Sequence, residues 1–360
     1  MNRSVPPLAL LILILPACAE LPLSTAPETG TGGTAALAPG GRPAPLPSTV
    51  EDFLGLGVGP LAIAHRGMGA NLGEDPTRPI ENSLAAIRGG FETGASVVEL
   101  DLQITGDGEI VAWHDDFLED FTCLNTLTRK ELDRRAPHIP SLQAVLQTAL
   151  RYNRRNPGRL SGLLTVDLKP PSPLCDPGDR NEAAIVEAVV RIIRQMGATD
   201  LVYFNSMSPV MLSLARDLAP EIPRQLTLLF LQLLSPEDVE AALGLPVVEI
   251  DKNPDFGLRW AEIGPIHRLP GYDSPMQAIQ TAHAVGARII SLDLLLLGYL
   301  EQSNPGSGTA LVQGTKATGL RVFSGDVATE EDWWLGAALG AEALYADDVP
   351  LAVSLQPALP

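Results

Sequence analysis

Short apolar runs alternate with helical-period segments along most of this chain, and that alternation leaves few folds open. The runs are Leu61–Ala64, Ala95–Val98, Ile110–Trp113, Leu163–Leu168, Leu201–Phe204, Leu226–Leu231, Val247–Ile250, Ala287–Leu292, Leu320–Phe323 and Ala343–Tyr345. Runs this short read as buried strands. Between them, Leu142–Leu150, Asn181–Met196, Pro209–Leu218, Pro236–Leu243, Gln277–Val285, Ala310–Thr318 and Glu330–Leu339 carry apolar residues at helical spacing. Strands alternating with amphipathic helices give an α/β fold with a parallel sheet. About eight such units in about 300 residues predict a (β/α)₈ TIM barrel. Counting both Ile110–Trp113 and Val247–Ile250 exceeds eight, so one of them is a short extension or an insertion. No internal repeat of shorter period is present.

Charged residues stand where several runs stop. Leu61–Ala64 ends on His65, Ala95–Val98 leads into Glu99 and Asp101, and Ile110–Trp113 ends on His114. Barrels and open parallel sheets build their sites at strand ends in this way. Glu99 and Asp101 are two apart, so a strand aims both carboxylates into one space. Like charges held together call for a cation between them, and oxygen-only ligands suit Mg²⁺ or Ca²⁺. The bland alternative is an exposed edge strand with two solvated acids. Val97, Val98, Leu100 and Leu102 around them argue against it, because acids are rarely buried unpaired.

The ordered set His65-Arg66-Gly67, Glu81-Asn82, Glu99-Leu100-Asp101 and His114-Asp115 resembles the glycerophosphodiester phosphodiesterase family. Each piece is weak alone; the order, with Gly94-Ala95, Thr105–Gly108 and Val111 between, is specific. The resemblance covers roughly Leu61 to Pro350 and continues through Ile139-Pro140-Ser141-Leu142 at a helix start. It implies the barrel fold in a single catalytic domain, and hydrolysis of glycerophosphodiesters to sn-glycerol 3-phosphate and an alcohol. It further implies a divalent metal held by Glu99, Asp101 and Asp167. Asp167 stands where the family has the longer glutamate, in a Glu-x-Lys whose lysine is Lys169 here. Arg66, Lys169, Glu81 and Asn82 are expected at the phosphate or substrate. His65 and His114 are expected to exchange protons, in an order the residues leave open. Glu81 has a second reading, a helix-capping acid. Gly325-Asp326-Val327-Ala328 stands where secreted bacterial members carry Trp-Thr-Val-Asn, Ile80 replaces a proline, and Met68–Arg78 is a longer loop. These departures bear on substrate preference rather than on reaction type. Two other readings stay open: a phospholipase-D-like enzyme acting on intact phospholipid, and a non-catalytic ligand-binding lipoprotein. His138, His267 and His283 read as surface residues.

Residues 1–18 read as a lipoprotein-type signal peptide. Arg3 supplies the positive start, and Leu8–Leu15 is an apolar core too short to span a bilayer. Leu15-Pro16-Ala17-Cys18 resembles a lipobox with Cys18 as the lipidated residue; an ordinary signal peptide is the alternative. Residues 19–55, rich in Pro, Gly and Ala, read as a linker, and 56–355 as the barrel domain. The chain is therefore expected to be exported, periplasmic or membrane-anchored, with membrane contact through the lipid. The formal charge of −18 argues against nucleic acid, whose phosphates need a basic footprint. Cys123 and Cys175 could pair in an oxidising compartment or remain separate thiols, and spacing does not decide between the two.

Overall fold

The computed structural model of the chain describes residues 48–158, 162–178, 180–251, 256 and 258–358. The expected signal peptide, Cys18 and most of the linker lie outside the described residues.

Within the linker range a short helix, α1 (Val50–Leu54), precedes the first strand. The chain then runs β1 (Leu61–Ala64), α2 (Leu84–Thr93), β2 (Val97–Ile104), β3 (Ile110–Ala112), α3 (Arg129–Arg135), α4 (Leu142–Arg155), β4 (Leu163–Leu168) and α5 (Asn181–Met196). It continues through β5 (Val202–Ser206), α6 (Pro209–Leu218), β6 (Arg224–Leu228), α7 (Pro236–Leu243), β7 (Val247–Asp251), β8 (Arg259–Ile263) and β9 (His267–Gly271). The last third contains α8 (Pro275–Ala284), β10 (Ile289–Asp293), α9 (Leu294–Ser303), α10 (Ser307–Ala317), β11 (Arg321–Val327), α11 (Glu330–Leu339), β12 (Ala343–Ala346) and α12 (Val349–Leu355).

Eight parallel strands close into a barrel in the order β1, β2, β4, β5, β6, β10, β11, β12, with β12 pairing back to β1. Both surplus runs are outside it. β3 turns back antiparallel on the end of β2, and β7 opens a separate antiparallel sheet with β8 and β9. His114 thus follows a short return strand instead of a barrel strand of its own. The return still brings it to the site, because Trp113 N donates to Asp101 O at 3.1 Å.

Alternation along each strand sorts side chains into two cores. Val98, Leu100 and Leu102 face the helices, while Val97 joins Leu61, Ile63, Leu163, Tyr203 and Phe323 inside the barrel. Val50, Phe53 and Leu54 of α1 close the floor of that inner core, with Phe53 edge-on to Phe323 at 5.9 Å. Apolar closure below leaves the upper interior to polar residues, and the site sits there.

Candidate active site

Glu99 and Asp101 continue the inward face of β2, and Asp167 lies on β4 directly across from Asp101. This register answers the short side chain at position 167: with the backbones paired, an aspartate reaches the group. Ligand atoms of Glu99, Asp101 and Asp167 fall within 4.8 Å of one another, and all three residues are buried. Lys169 leaves the end of β4 and reaches back, its Nζ 2.6 Å from Asp167 Oδ2 and 3.1 Å from Asp101 Oδ1.

The turn after β1 holds the second cation. Arg66 takes a left-handed φ of 49°, its N–H donates to Glu99 Oε2 at 2.7 Å, and its guanidinium Nε lies 3.6 Å from Asp101 Oδ2. Such a φ in a non-glycine residue costs energy and is kept where the site needs it. Gly67 follows at φ 92°; a Cβ there would stand 2.6 Å from the Ala86 carbonyl carbon, so only glycine lets α2 approach this turn. Arg66 Nη1 donates to Glu81 Oε1 at 2.7 Å, and Glu81 Oε2 accepts from Asn71 N. Asn82, at φ 58°, donates from Nδ2 to Asp101 Oδ2 at 2.8 Å and accepts from Asp101 N at 3.0 Å. The helix starts only after Ser83, whose hydroxyl caps Ala86 N, so Glu81 lies outside the first turn. Of the four residues expected at the phosphate or substrate, Glu81 hydrogen-bonds Arg66 and Asn82 hydrogen-bonds Asp101.

Each histidine has a carboxylate on its Nδ1. His65 meets Asp347 Oδ1 at 2.9 Å, with Asp326 3.7 Å away, and its ring lies edge-on to Tyr345. His114 meets Asp115 Oδ1 at 2.7 Å. Burial disfavours the charged form of His65, but Asp326 and the hydrogen bond to Asp347 outweigh it and push the imidazole up to about 10. For His114, burial is reinforced by the Arg66 and Lys169 charges, and its pKa falls below the ordinary 6.5. The two imidazoles are driven in opposite directions. Both act electrostatically on Asp101, which lies between Lys169 and Arg66 and is held well below the usual carboxylate range despite its burial. Glu99 goes the other way: burial and the Asp101 and Asp167 charges push it up to about 8.

Three participants carried no role in the sequence reading. Asp347 directly follows β12, Asp326 lies on β11, and His267, exposed as a surface residue is expected to be, starts β9. His267 is close enough for Asp115 and His114 to act on its charge. The position of Asp347 was the available signal: a carboxylate closing the last barrel strand stands beside the end of the first.

The donor set fits a hard divalent cation. It is all carboxylate oxygen, and Asp167 Oδ1 is buried without a hydrogen-bond partner. Glu99 resists ionising in this cluster unless further positive charge is near.

The "Glycerophosphoryl diester phosphodiesterase family" model matches residues 65–242. A glycerophosphodiester phosphodiesterase of Caldanaerobacter subterraneus is 39% identical over 72 residues, covering 17% of this chain and 27% of that protein. The uncharacterised Bacillus subtilis protein YqiK is 29% identical over 177 residues, covering 45% of this chain and 64% of that one. The match thus spans less than two thirds of either relative's length. Among solved structures, an Oleispira antarctica phosphodiesterase in complex with the product sn-glycerol-3-phosphate superposes with a TM-score of 0.55 at 20% identity, over 82% of this chain and 95% of that one. A Thermotoga maritima glycerophosphodiester phosphodiesterase gives 0.55 at 16% identity, over 83% and 99%. At these identities the structures speak for the barrel fold, and the family model speaks for the residues that line its mouth from His65 onward. Residues 65–242 thus carry a domain that matches the glycerophosphoryl diester phosphodiesterase family.

Proposed function

We propose that this chain hydrolyses glycerophosphodiesters to sn-glycerol 3-phosphate and an alcohol. The observation that carries the reading is the pair of histidines with opposed proton affinities beside a carboxylate and cation cluster. Titratable groups pushed apart by their surroundings reveal acid and base roles. His114, neutral at neutral pH, accepts the proton of the attacking hydroxyl or water through Nε2, because Asp115 holds Nδ1. His65, charged and held at Nδ1 by Asp347, donates to the leaving alkoxide. Arg66 presents a planar fork to phosphate oxygens and Lys169 a point charge. Glu99, Asp101 and Asp167 would hold a divalent cation, Mg²⁺ or Ca²⁺, which when bound supplies further neutralisation of phosphoryl charge.

We also infer export with lipid attachment at Cys18. The Cys123–Cys175 disulfide, with Cα atoms 5.4 Å apart, supports passage into an oxidising compartment.

The test is an assay of the full chain on glycerophosphocholine, glycerophosphoethanolamine and glycerophosphoglycerol, reading released glycerol 3-phosphate. Activity should vanish in chelator and return with Mg²⁺ or Ca²⁺. Release from none of the three overturns the activity, and full turnover in excess chelator overturns the metal.

A further inference from the structure

The loop from Met68 to Arg78 is folded by one side chain. Asn71 is buried, at 7% exposure. Its Oδ1 accepts from Gly73 N and Asp75 N, both at 3.1 Å. Its Nδ2 donates to the carbonyl oxygens of Asp75, Arg78 and Pro79, at 3.1, 3.2 and 3.2 Å. All of these partners are backbone groups of the same loop. The amide therefore supplies the hydrogen bonds that no helix or strand supplies there, and it fixes its own backbone in doing so.

That backbone reaches the arginine. Asn71 N donates to Glu81 Oε2 at 2.7 Å, and Asn71 O accepts from Glu81 N at 2.8 Å. The other oxygen of Glu81 holds the Arg66 guanidinium. The preceding residue reaches the histidine. Ala70 N donates to Asp347 Oδ1 at 2.8 Å, the same oxygen that His65 Nδ1 meets. Gly69 N donates to His65 O at 2.7 Å, and a Cβ on Gly69 would strike the Asp347 carbonyl oxygen. From the far end of the loop, Arg78 Nη2 donates to Asp347 O at 3.0 Å and also to Met68 O. Two consecutive peptide N–H groups thus reach the two carboxylates that hold the proton donor and the phosphate fork.

We propose that Asn71 is a positioning residue for both groups. By fixing the backbone at 70 and 71 it holds His65 through Asp347 and Arg66 through Glu81, while the Arg78 side chain acts on the histidine branch alone. The inference rests on the roles of His65 and Arg66 in the hydrolysis proposed above. The leaving group tells the two branches apart. Choline departs as an alkoxide that needs the proton of His65, whereas 4-nitrophenolate is stable without one. Arg66 meets phosphoryl oxygens, which both esters share.

The experiment measures kcat and KM of the full chain on glycerophosphocholine and on the 4-nitrophenyl ester of glycerol 3-phosphate, at saturating Mg²⁺ or Ca²⁺. Asn71→Ala should raise KM about tenfold on both esters. Its kcat should fall about tenfold or more on glycerophosphocholine and stay within about twofold on the nitrophenyl ester. Asn71→Asp keeps the shape and the bonds to Gly73 N and Asp75 N, so it should fold and show the same pattern with smaller losses. Arg78→Ala, at a half-buried position, should lower kcat on glycerophosphocholine and leave KM unchanged. Glu81→Gln should raise KM on both esters alike. Equal kcat losses on the two esters in the Asn71 variants, parent values in both of them, or a raised KM in Arg78→Ala would each overturn the proposal. A parent that hydrolyses neither ester overturns the hydrolysis and this inference with it; an active parent whose variants show the wrong pattern overturns this inference alone.

Discussion

At the scale of single residues the site is a set of opposed charges whose balance sets the pH of activity. Because the pKa of His114 is lowered, kcat/KM should rise with pH along a limb below 6.5, as this base loses its proton. Because His65 is raised to about 10, the fall should come only as pH approaches that value and the acid empties. Asp347→Asn removes one of the two charges that raise His65, so the alkaline limb should move down by about 1–3 pH units. A purely structural role for Asp347 would lower the rate at every pH and leave the limb in place. A second expectation concerns Asp167. Asp167→Glu should retain most activity, since the longer side chain enters a register already paired with Asp101, while Asp167→Ala should leave Asp101 and Lys169 short of a partner and cost about 10² or more in rate. Metal-dependent rate curves for the two variants check this. The sequence showed which residues would gather, since Glu99 and Asp101 share a face by strand period alone. It could not show that Glu81 and Asn82 turn inward, nor that Asp347 and Asp326 converge on one imidazole. Those contacts depend on left-handed turns and on strands hundreds of residues apart.

At the scale of elements, the strong periodic segments were legible to within a few residues. Asn181–Met196, Pro209–Leu218, Pro236–Leu243 and Glu330–Leu339 begin and end where their spacing places them, helped by proline at two starts and left-handed glycine after three of the ends. Elements without that signal were missed. α3 sits in a polar stretch with little apolar period, where a capping box on Thr128 and Glu131 supports it. α9 is so uniformly apolar that its period is hidden. β8 and β9 belong to an antiparallel excursion that β–α alternation does not announce. The loop after β3 and the one after β4 are joined by the Cys123–Cys175 bridge across 52 residues. Closing a loop of that size is worth up to about 4 kcal/mol through the unfolded chain. The double variant Cys123→Ala, Cys175→Ala should therefore unfold at lower denaturant, by up to that amount, with glycerophosphodiester turnover near that of the parent at low temperature. Urea titration of both proteins gives the comparison.

At the scale of the whole molecule, one end of the barrel is closed by apolar packing and the other is left for chemistry. Val50, Phe53 and Leu54 close the floor, which puts residue 48 at the end opposite the mouth. If Cys18 carries lipid, the chain reaches the membrane from that floor end, and Cys18→Ser should move the protein from the membrane to the soluble fraction. Unchanged fractionation would remove the anchor from the account, and a globomycin-type block of lipoprotein processing should separately leave a larger precursor.

The pairing of β12 with β1 also has a consequence in time. His65 and the carboxylate on its Nδ1 are 282 residues apart. At synthesis rates of about 5–20 residues per second, Asp347 is made roughly 15–60 seconds after His65. By then Glu99, Asp101, Asp167 and His114 have long been present. The emerging chain therefore holds its cluster of acids without the partner that orients one histidine, and a chain broken off before the last strand never acquires it. The order along the chain thus delays the completed site until the last barrel strand has been made.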